Sequence, residues 1–391
     1  MTDPALERRL RTKIKGRVHR FAAIVPPGFE QFALEEMEAA GIDGFEPPRK
    51  GVLFWQGKTE SFWLAHALCR IPVTFRWQIA EFGATGFAEL RRKCERVEWD
   101  LFLPEGAPVR ISVAAESSRL WHEGAIAEEV VAALARSGHA ASDGEEAVPL
   151  FCRMERDRCA LFLEGDGAPL YRRGFEKRVL AAPLRDNVAW ALLQAAGISE
   201  AARLCDPMCG SGSFSLEAFL AVRGLHPARL RRFGFESWPS TRLPAWENLK
   251  SRLPARHPFA PESLEILCSD ADPDAVAAAT ANFLAAGSVA AAGPGPAPAV
   301  GREDFFDLKP EKDGRPSLLV LNPPWGKRIR TGDGPALYRE IGAKIRADFR
   351  SWKTLVLAPG LEFERALGLR WDRKILFRSG GIGVGALIGK V

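Results

Sequence analysis

The chain has 391 residues, which is too long for one ordinary domain and fits two or three. Hydrophobic residues make up 47% and charged residues 26%, proportions that exclude intrinsic disorder. No apolar run approaches the roughly 18–20 residues that span a bilayer, and the charged N-terminal segment lacks the apolar core of a secretory signal. The sequence therefore predicts a cytoplasmic protein without a membrane partner.

The charge pattern leaves two interpretations open. The net charge is only +5, but basic residues concentrate in two runs. Such runs are either a solvated surface or contacts to the phosphates of a nucleic acid, which need cations but no sequence code. The runs are Arg8, Arg9, Arg11, Lys13, Lys15, Arg17 and Arg20 near the N-terminus, and Arg172, Arg173, Lys177 and Arg178 near mid-chain.

The seven cysteines do not form a recognisable metal motif. Cys205 and Cys209 are close but lack the CxxC spacing, and no histidines cluster beside them. Their number is odd, and we expect reduced, mostly buried thiols and no metal site.

The first 167 residues mix strands and helices in two α+β units. The first unit, up to about residue 65, has an apolar strand from Phe21, a Pro-Gly turn, a helix that ends at Gly41 and a strand over 51–57. The second unit ends near Gly167. Its pattern predicts strands over 75–84, 107–117 and 158–167 and a helix over 123–138.

From Arg185 onward the pattern changes to alternating strands and helices, which is typical of a doubly wound parallel sheet. The residues over 374–389 suggest a terminal β-hairpin. Two segments interrupt the alternation: 291–301, rich in Ala, Pro and Gly, is interpreted as a surface loop, and 239–261, with five prolines, as an irregular excursion.

A glycine-rich turn follows the first strand of this α/β unit, at residues 206–213. Gly210 and Gly212 permit a tight turn and close approach of the backbone to a ligand, and the first βα turn is where open α/β sheets bind nucleotides. Ser215 stands at the third glycine position of a dinucleotide motif, which argues against NAD. Asp206 would repel a pyrophosphate but could accept a hydrogen bond from the amino-acid end of S-adenosyl-L-methionine.

Two later acidic segments could complete a nucleoside site. Asp270, at the tip of the next strand, could bind ribose hydroxyls, and Asp272 could instead cap the following helix with Pro273 at its first position. Further on, Asp304 could accept the adenine amine, and Phe305 could lie against the ring.

A second motif, Asn322-Pro323-Pro324-Trp325, follows four apolar residues that predict a buried strand. An exocyclic amine on a base is a poor nucleophile because its lone pair is delocalised into the ring. The Asn322 side-chain carbonyl and the Pro323 backbone carbonyl, held rigid by Pro324, could accept its two N–H groups, and Trp325 could stack on the base. Catalysis would then be mainly positioning and electrostatics.

Together these motifs resemble a known family. Residues 206–218, 269–276, 303–304 and 322–329 resemble, in order and spacing, the class I methyltransferases with an N-terminal THUMP domain. Residues 171–193 resemble the family's lead-in to the catalytic domain, and 117–134 resemble THUMP itself. The likeness covers nearly the whole chain and is strongest to bacterial enzymes that form N2-methylguanosine in 23S ribosomal RNA; relatives act on transfer RNA.

The resemblance implies a fold and three domains. It implies an α/β fold with a Rossmann-like class I methyltransferase sheet at 168–391, preceded by a ferredoxin-like region with a basic tail at 1–65 and a THUMP RNA-binding domain at 66–167. It implies S-adenosyl-L-methionine as cofactor and RNA as partner, with no obligate protein partner.

The same resemblance implies the site residues, and all are named by position in this chain. Asn322, Pro323, Pro324 and Trp325 would be catalytic, with Trp325 standing where the family usually has Tyr. Arg119, Trp121 and His122 could contact RNA, although Trp121 could equally be a core residue. The cofactor would be bound by Asp206, Cys209, Gly210, Ser211, Gly212, Asp270 and Asp304.

Several functions remain open from the sequence. An Asn-Pro-Pro motif followed by an aromatic residue fits methylation of several amines. These are adenine N6 in DNA or RNA, the side-chain amide of glutamine, and guanine N2. A transfer RNA guanine-N2 methyltransferase is a further alternative. A non-catalytic RNA-binding ribosome-assembly factor that kept the fold is the alternative from another class. A base inside a duplex cannot reach such a pocket, so a nucleic-acid target must be unpaired or flipped out.

Overall fold

The computed structural model describes residues 3–180, 184–289, 298–324 and 334–390. The chain divides into two compact units. Unit 1 comprises Met1–Val25, Met37–Leu170 and Arg232–Leu253, and unit 2 comprises Pro26–Glu36, Tyr171–Arg231 and Pro254–Val391.

The secondary structure alternates between strands and helices along most of the chain. The strands are β1 (His19–Ile24), β2 (Val52–Gly57), β3 (Thr74–Gly83), β4 (Val109–Glu116), β5 (Val148–Glu155), β6 (Arg158–Glu164), β7 (Arg203–Asp206), β8 (Glu265–Asp270), β9 (Val300–Arg302), β10 (Ser317–Leu321), β11 (Lys353–Ala358), β12 (Arg373–Ser379) and β13 (Ile382–Lys390). The helices are α1 (Pro4–Lys13), α2 (Glu30–Ala39), α3 (Thr59–Leu68), α4 (Phe87–Cys94), α5 (Glu123–Arg136), α6 (Asp186–Ala195), α7 (Ser213–Val222), α8 (Pro227–Leu230), α9 (Leu243–Ser251), α10 (Pro273–Val289), α11 (Gly334–Asp348) and α12 (Leu361–Leu367).

Unit 1 is built on a six-stranded sheet in the order β2-β1-β3-β6-β5-β4. Neighbouring strands are antiparallel except β4 and β5, which are parallel. Because β1 pairs with β3, one sheet continues through the segments 1–65 and 66–167. Their separation into a ferredoxin-like region and a THUMP domain stays a prediction.

One face of this sheet carries the aromatic core of unit 1. The Phe21 ring stacks on Phe62 with centroids 5.0 Å apart and meets Trp77 edge-on at 5.3 Å. Residues of alternating position point to opposite faces of a strand, so Phe21 and Trp77 face α3 while Ala22 and Arg76 face away.

The proline-rich segment 239–261 is not simply an irregular excursion, and that expectation was wrong for its first half. It contains α9, with Pro244 in the first turn, where a missing N–H costs no helical hydrogen bond. Trp246 on α9 is buried against Phe235, with ring centroids 5.1 Å apart. Phe235 in turn packs against His66 of α3, with ring centroids 4.8 Å apart, so residues 232–253 belong to unit 1 although the chain before and after them belongs to unit 2.

Unit 2 contains the doubly wound sheet expected from the sequence. Its order is β12-β13-β11-β10-β7-β8-β9; the run from β9 to β11 is parallel, and β13 is antiparallel to both neighbours. The predicted terminal hairpin is confirmed as β12 and β13. Gly380 and Gly381 both have positive φ, at 57° and 85°, as a two-residue hairpin turn requires.

The core of unit 2 surrounds β10. Every residue of this strand is buried, as the four apolar residues before Asn322 predicted. Leu319 and Leu321 belong to a cluster with Tyr338 and Ile345 of α11 and with Phe349. A central strand with both faces covered is a rigid base for the residues that follow its end.

All seven cysteines are buried, which confirms that part of the prediction, and they are free thiols. Within the described ranges, none of the helices combines the length and apolar character needed to cross a bilayer. The loop predicted over 291–301 lies largely outside the described residues, which resume at residue 298 before β9.

Candidate active site

The carboxyl ends of β7, β8 and β10 meet at one edge of the unit 2 sheet. From β7 the chain continues to β8 and β9 on one side, whereas β10 and β11 lie on the other. Open α/β sheets bind ligands where the strand order reverses in this way. Leu319 pairs with Cys205, which places Asp206 one residue and Asn322 three residues beyond that paired position.

The glycine turn between β7 and α7 adopts a backbone that only glycine enters without strain. Gly210 and Gly212 have φ of 55° and 81°, and Gly212 is the N-cap of α7. A Cβ at Gly212 would lie 3.3 Å from the Cβ of Ala279, so α10 packs closely here. A Cβ at Gly210 would meet no described atom within 4 Å, so this side of the turn is open to a ligand.

Asp206 carries a buried carboxylate at the base of this turn. The residue is 1% exposed, and its Oδ2 accepts hydrogen bonds from the Ser215 amide at 3.3 Å and the Ser215 hydroxyl at 2.8 Å. Its Oδ1 has no hydrogen-bond partner among the described atoms. Burial raises the pKa of Asp206 to about 7, and the nearby charge of Asp270 adds to the rise against the two Ser215 bonds. A buried acceptor without a donor is unfavourable unless a ligand supplies one.

Asp270 joins the end of β8 to the glycine turn. Its carboxylate accepts from the amides of Gly210 at 2.9 Å and Asp272 at 3.0 Å. Burial raises the pKa of this carboxyl, while the two amides oppose the rise. The Asp272 carboxylate accepts from the Asp274 amide at 2.9 Å, and α10 begins at Pro273, which confirms the capping role suggested for Asp272.

Asp304 and Phe305 follow β9 and differ in exposure. Asp304 is exposed, and its carboxylate accepts from the Phe306 amide at 2.9 Å, while the Glu303 amide donates to the Asp270 carbonyl. Phe305 is 1% exposed and stacks on Phe349 in the core at 5.7 Å. The suggestion that Phe305 lies against adenine was therefore wrong, because its ring is enclosed by the core.

The Asn-Pro-Pro motif begins where β10 leaves the core. Asn322 is half-buried, Pro323 is buried and Pro324 is half-buried. Trp325 lies outside the described residues. The roles assigned to Asn322, Pro323, Pro324 and Trp325 therefore stay predictions, with the first three placed at the ligand-binding edge of the sheet.

Asn282 on α10 is a residue that sequence reasoning missed. It is 1% exposed, and its Nδ2 donates to the Ser211 carbonyl of the glycine turn and to the Arg178 carbonyl, both at 2.9 Å. Its Oδ1 accepts from the Arg178 amide at 2.7 Å. One amide group thus holds the glycine turn, α10 and the lead-in residues 171–180 together. An asparagine within an apolar helical pattern was the only available signal.

The mid-chain basic run is divided: Arg173 and Lys177 are engaged within unit 2, whereas Arg172 and Arg178 are exposed. Arg173 is buried and makes two hydrogen bonds to Glu217 of α7, at 2.9 and 3.0 Å. Lys177 pairs with Asp186 and donates to the Ser213 hydroxyl at 3.2 Å. These bonds fasten the lead-in to the first half of α7.

The N-terminal basic run is partly neutralised in the same way. Arg9 pairs with Asp100 and Glu98, Lys13 also pairs with Glu98, and Arg20 forms two hydrogen bonds to Glu46. A cation that is already paired with a carboxylate contributes less binding free energy when it contacts a phosphate.

The three residues suggested for RNA contact lie together before α5 in unit 1. Trp121 is 73% exposed, which excludes the core alternative. The exposed His122 caps α5, since its Nδ1 accepts from the Ala125 amide at 3.1 Å. The Arg119 amide donates to Asp157 at 2.8 Å, and its exposed guanidinium lies 3.6 Å from the same carboxylate.

Comparisons of the sequence with known proteins agree on one family. A family model described as RMKL-like, methyltransferase domain, matches residues 173–386. The chain is 28% identical over 370 residues to a ribosomal RNA large subunit methyltransferase K/L of Methylococcus capsulatus, covering 90% of this chain and 48% of that protein. It is 26% identical over 373 residues to the putative RNA methyltransferase slr0064 of Synechocystis, covering 93% and 94%. The chain thus spans about half the length of the K/L relatives.

Solved structures show the same fold. SMU.472, a putative methyltransferase crystallised with SAH, superposes with a TM-score of 0.79 at 21% identity, covering 96% of this chain and 98% of that one. TrmN from Thermus thermophilus gives 0.66 at 18% identity, covering 96% and 100%. The expected α/β fold with a Rossmann-like class I methyltransferase sheet is confirmed.

Proposed function

The chain belongs to the RMKL-like methyltransferase family, and from that premise we propose that it forms N2-methylguanosine in RNA, with 23S ribosomal RNA as substrate. The observation that carries this proposal is the placement of Asn322 and Pro323 at the carboxyl end of β10, beside the strand that leads into the glycine turn. A methyl donor and an amine acceptor can meet only if their binding groups share one edge of the sheet.

The residues around the turn fit S-adenosylmethionine, the cofactor of the family. Asp206 has a buried oxygen that receives no hydrogen bond from the described part of the chain, which suits the cationic ammonium of an amino acid. Asp270 is partly exposed at the end of β8, where acidic residues bind ribose hydroxyls. The open side of Gly210 lets a ligand approach the backbone closely. We assign Asp206, Cys209, Gly210, Ser211, Gly212, Asp270 and Asp304 to cofactor binding.

The cofactor supplies an electrophilic methyl group on a cationic sulfonium, so the chain needs no strong base. Asn322 would accept one N–H bond of the target amine through its side-chain carbonyl, and Pro323 would accept the other through its backbone. Both acceptors favour a more tetrahedral nitrogen, whose lone pair is then available to attack. Trp325 would stack on the base, and the buried strand behind Asn322 would keep these groups in place.

RNA as substrate is supported by the names of the relatives and by the exposed residues of unit 1. The K/L relatives are ribosomal RNA methyltransferases, and slr0064 is a putative RNA methyltransferase. We propose that unit 1 contains the ferredoxin-like region and the THUMP domain, and that Arg119, Trp121 and His122 contact RNA from exposed positions. A ribosomal RNA substrate implies a cytoplasmic location.

The test is Asn322→Ala, with Asn248→Ala as matched control, since Asn248 is exposed on α9 in the other unit. Calorimetry measures cofactor affinity, and transfer of labelled methyl groups to bulk RNA measures activity. We expect unchanged affinity in both variants, and a loss of about 10²–10³-fold in rate in Asn322→Ala only, as for removal of one hydrogen-bonding group aimed at a reacting centre.

Two outcomes would contradict the proposal. Full activity in Asn322→Ala would remove the assigned role of the amide. A wild-type chain that binds RNA but not the cofactor would indicate a non-catalytic RNA-binding factor.

A further inference from the structure

The second face of the unit 1 sheet has an apolar centre where an ordinary solvated face would be polar. Phe54 of β2, Phe151 of β5 and Phe162 of β6 form a row, with ring centroids 6.4 Å apart for Phe54 and Phe162 and 6.3 Å apart for Phe151 and Phe162. Ala22 and Val52 fill the space beside Phe54. This row is separate from the aromatic core on the opposite face.

Arginine side chains cover this row. The Arg20 guanidinium lies 4.2 Å from the Phe54 ring centre, and the Arg76 guanidinium lies 4.1 Å from that of Phe151. Arg49 also lies over Phe54, at 5.6 Å. Each guanidinium has a second flat side, and bases stack on guanidinium planes as well as on aromatic rings.

A groove of about 270 Å³ runs along the row. Its charged lining residues are all basic: Arg49, Lys50, Arg76 and Arg153. Arg76 and Arg153 pair with Glu164 and Glu155, whereas Arg49 and Lys50 are exposed in the turn before β2. The groove therefore combines flat apolar surface with positive charge that polyanions can neutralise.

The same β5–β6 hairpin connects this groove with the residues proposed to contact RNA. Phe151 lies four residues before Glu155, which is about 13 Å along the strand at roughly 3.3 Å per residue. Asp157 in the following turn holds the amide and the guanidinium of Arg119. A single extended strand of nucleic acid could follow this path.

We propose that this phenylalanine–arginine face binds an unpaired stretch of RNA, with bases stacked on the outer planes of the guanidinium groups that lie over Phe54 and Phe151, and with phosphates at Arg49 and Lys50. The proposal rests on RNA being the substrate. Stacking is sequence-tolerant because every base has a flat face, so the face contributes affinity and register but not the choice of target.

The test compares Phe151→Ala and the double variant Arg49→Ala/Lys50→Ala with two controls. Phe87→Ala removes a 38% exposed ring from α4, and Arg92→Ala removes an exposed cation from the same helix. The probe is a fluorescent unpaired 12-residue RNA of mixed sequence, measured by anisotropy between 50 and 200 mM salt. Thermal melting checks folding, and the double variant, confined to an exposed turn, keeps the test valid if Phe151→Ala unfolds.

We expect Phe151→Ala to weaken RNA binding about tenfold, within the range of one lost base stack. The double variant should reduce the slope of log Kd against log salt by about 1.4, for two phosphate contacts on a single strand. Controls should match the wild type, and calorimetry should show unchanged cofactor affinity in every variant.

The outcomes separate the two proposals. Wild-type RNA binding and methylation that persist unchanged in both face variants would overturn this inference, leave the proposed function standing and point to a protein as the occupant of the face. A wild-type chain that neither binds nor methylates RNA would overturn both.

Discussion

At the scale of single residues, Asp206 is a fully buried carboxyl in the proposed cofactor site. Burial raises its pKa to about 7 from an ordinary value of 3.8, so the carboxyl takes up a proton on folding at intermediate pH. The stability that this protonation contributes is fully present below pH 3.8 and is lost as the pH rises through about 7. An incoming ammonium group reverses the preference, since it favours the charged carboxylate.

Cofactor affinity should therefore rise with pH as Asp206 deprotonates. We expect binding about tenfold weaker at pH 6 than at pH 8, because only the deprotonated fraction is competent. Calorimetry across this range checks the expectation, with Asp206→Asn as control. The affinity of the variant should not depend on pH in this way. Any remaining change of affinity with pH would come from titration of the ligand's own amine. Equal slopes in wild type and variant would show that Asp206 does not titrate on binding.

Residue types and spacing predicted which side chains meet at this edge of the sheet better than they predicted the surroundings of each side chain. Asp206 and Asp270 are the last residues of β7 and β8, Asn322 follows β10, and the carboxyl ends of parallel strands necessarily meet at one edge. Phe305 and Phe306 are adjacent in sequence, and only packing buries the first against Phe349. Trp121 precedes α5 in an irregular segment without periodicity, so its exposure could not be predicted.

At the scale of elements, the lead-in residues 171–180 and the glycine turn form one hydrogen-bonded assembly. The Arg173–Glu217 pair and Lys177 attach the lead-in to α7, and Asn282 attaches it to α10 and to Ser211. We therefore expect the lead-in to act on cofactor binding indirectly, by holding the Ser211 carbonyl of the turn in place. Gly174 belongs to this arrangement, because a Cβ there would lie 2.4 Å from the Leu230 carbonyl.

Asn282→Asp should weaken cofactor binding without changing the chemistry. The variant keeps the acceptor for the Arg178 amide but loses both donated hydrogen bonds, and it sets a carboxylate against two buried carbonyls. We expect about a tenfold higher KM for the cofactor, a near-normal kcat at saturation and a Tm lowered by a few degrees.

The matched control is Thr354→Val, which removes a buried hydroxyl near the amino end of β11. Its KM should match that of the wild type. A merely structural role for Asn282 would lower the Tm and leave the KM unchanged, and that result would contradict the positioning role.

The sequence predicted a helix or strand correctly wherever its apolar residues formed a strong pattern, as in β10, α7 and α10. The prolines of 239–261 concealed α9, because Pro244 marks a helix start as readily as a loop. The three-residue β9 and the short α12 are too brief to produce a periodic pattern. Pro149 near the start of β5 weakened the strand signal there.

At the scale of the whole molecule, the alternation of strands and helices predicted a doubly wound sheet. It could not give the order of the strands in that sheet or the division of the chain into two units. Strand order depends on contacts between residues more than a hundred positions apart, such as Leu319 with Cys205. The return of 232–253 to unit 1 depends on the packing of Phe235 against Phe62 and His66, which no local pattern contains. Likewise, charge runs in sequence did not show that Arg9, Arg20 and Arg173 are paired internally.

The measurement that tests the central claim most directly is the identity and location of the methylated nucleoside. Total RNA from a strain lacking this gene would be methylated by the purified chain with labelled S-adenosylmethionine, separated by size and digested to nucleosides. We expect the label in N2-methylguanosine from 23S ribosomal RNA. If N2-methylguanosine appeared in transfer RNA instead, the proposed chemistry would stand and the proposed substrate would change to transfer RNA. Label in N6-methyladenosine, or no label in any RNA despite cofactor binding, would contradict the account.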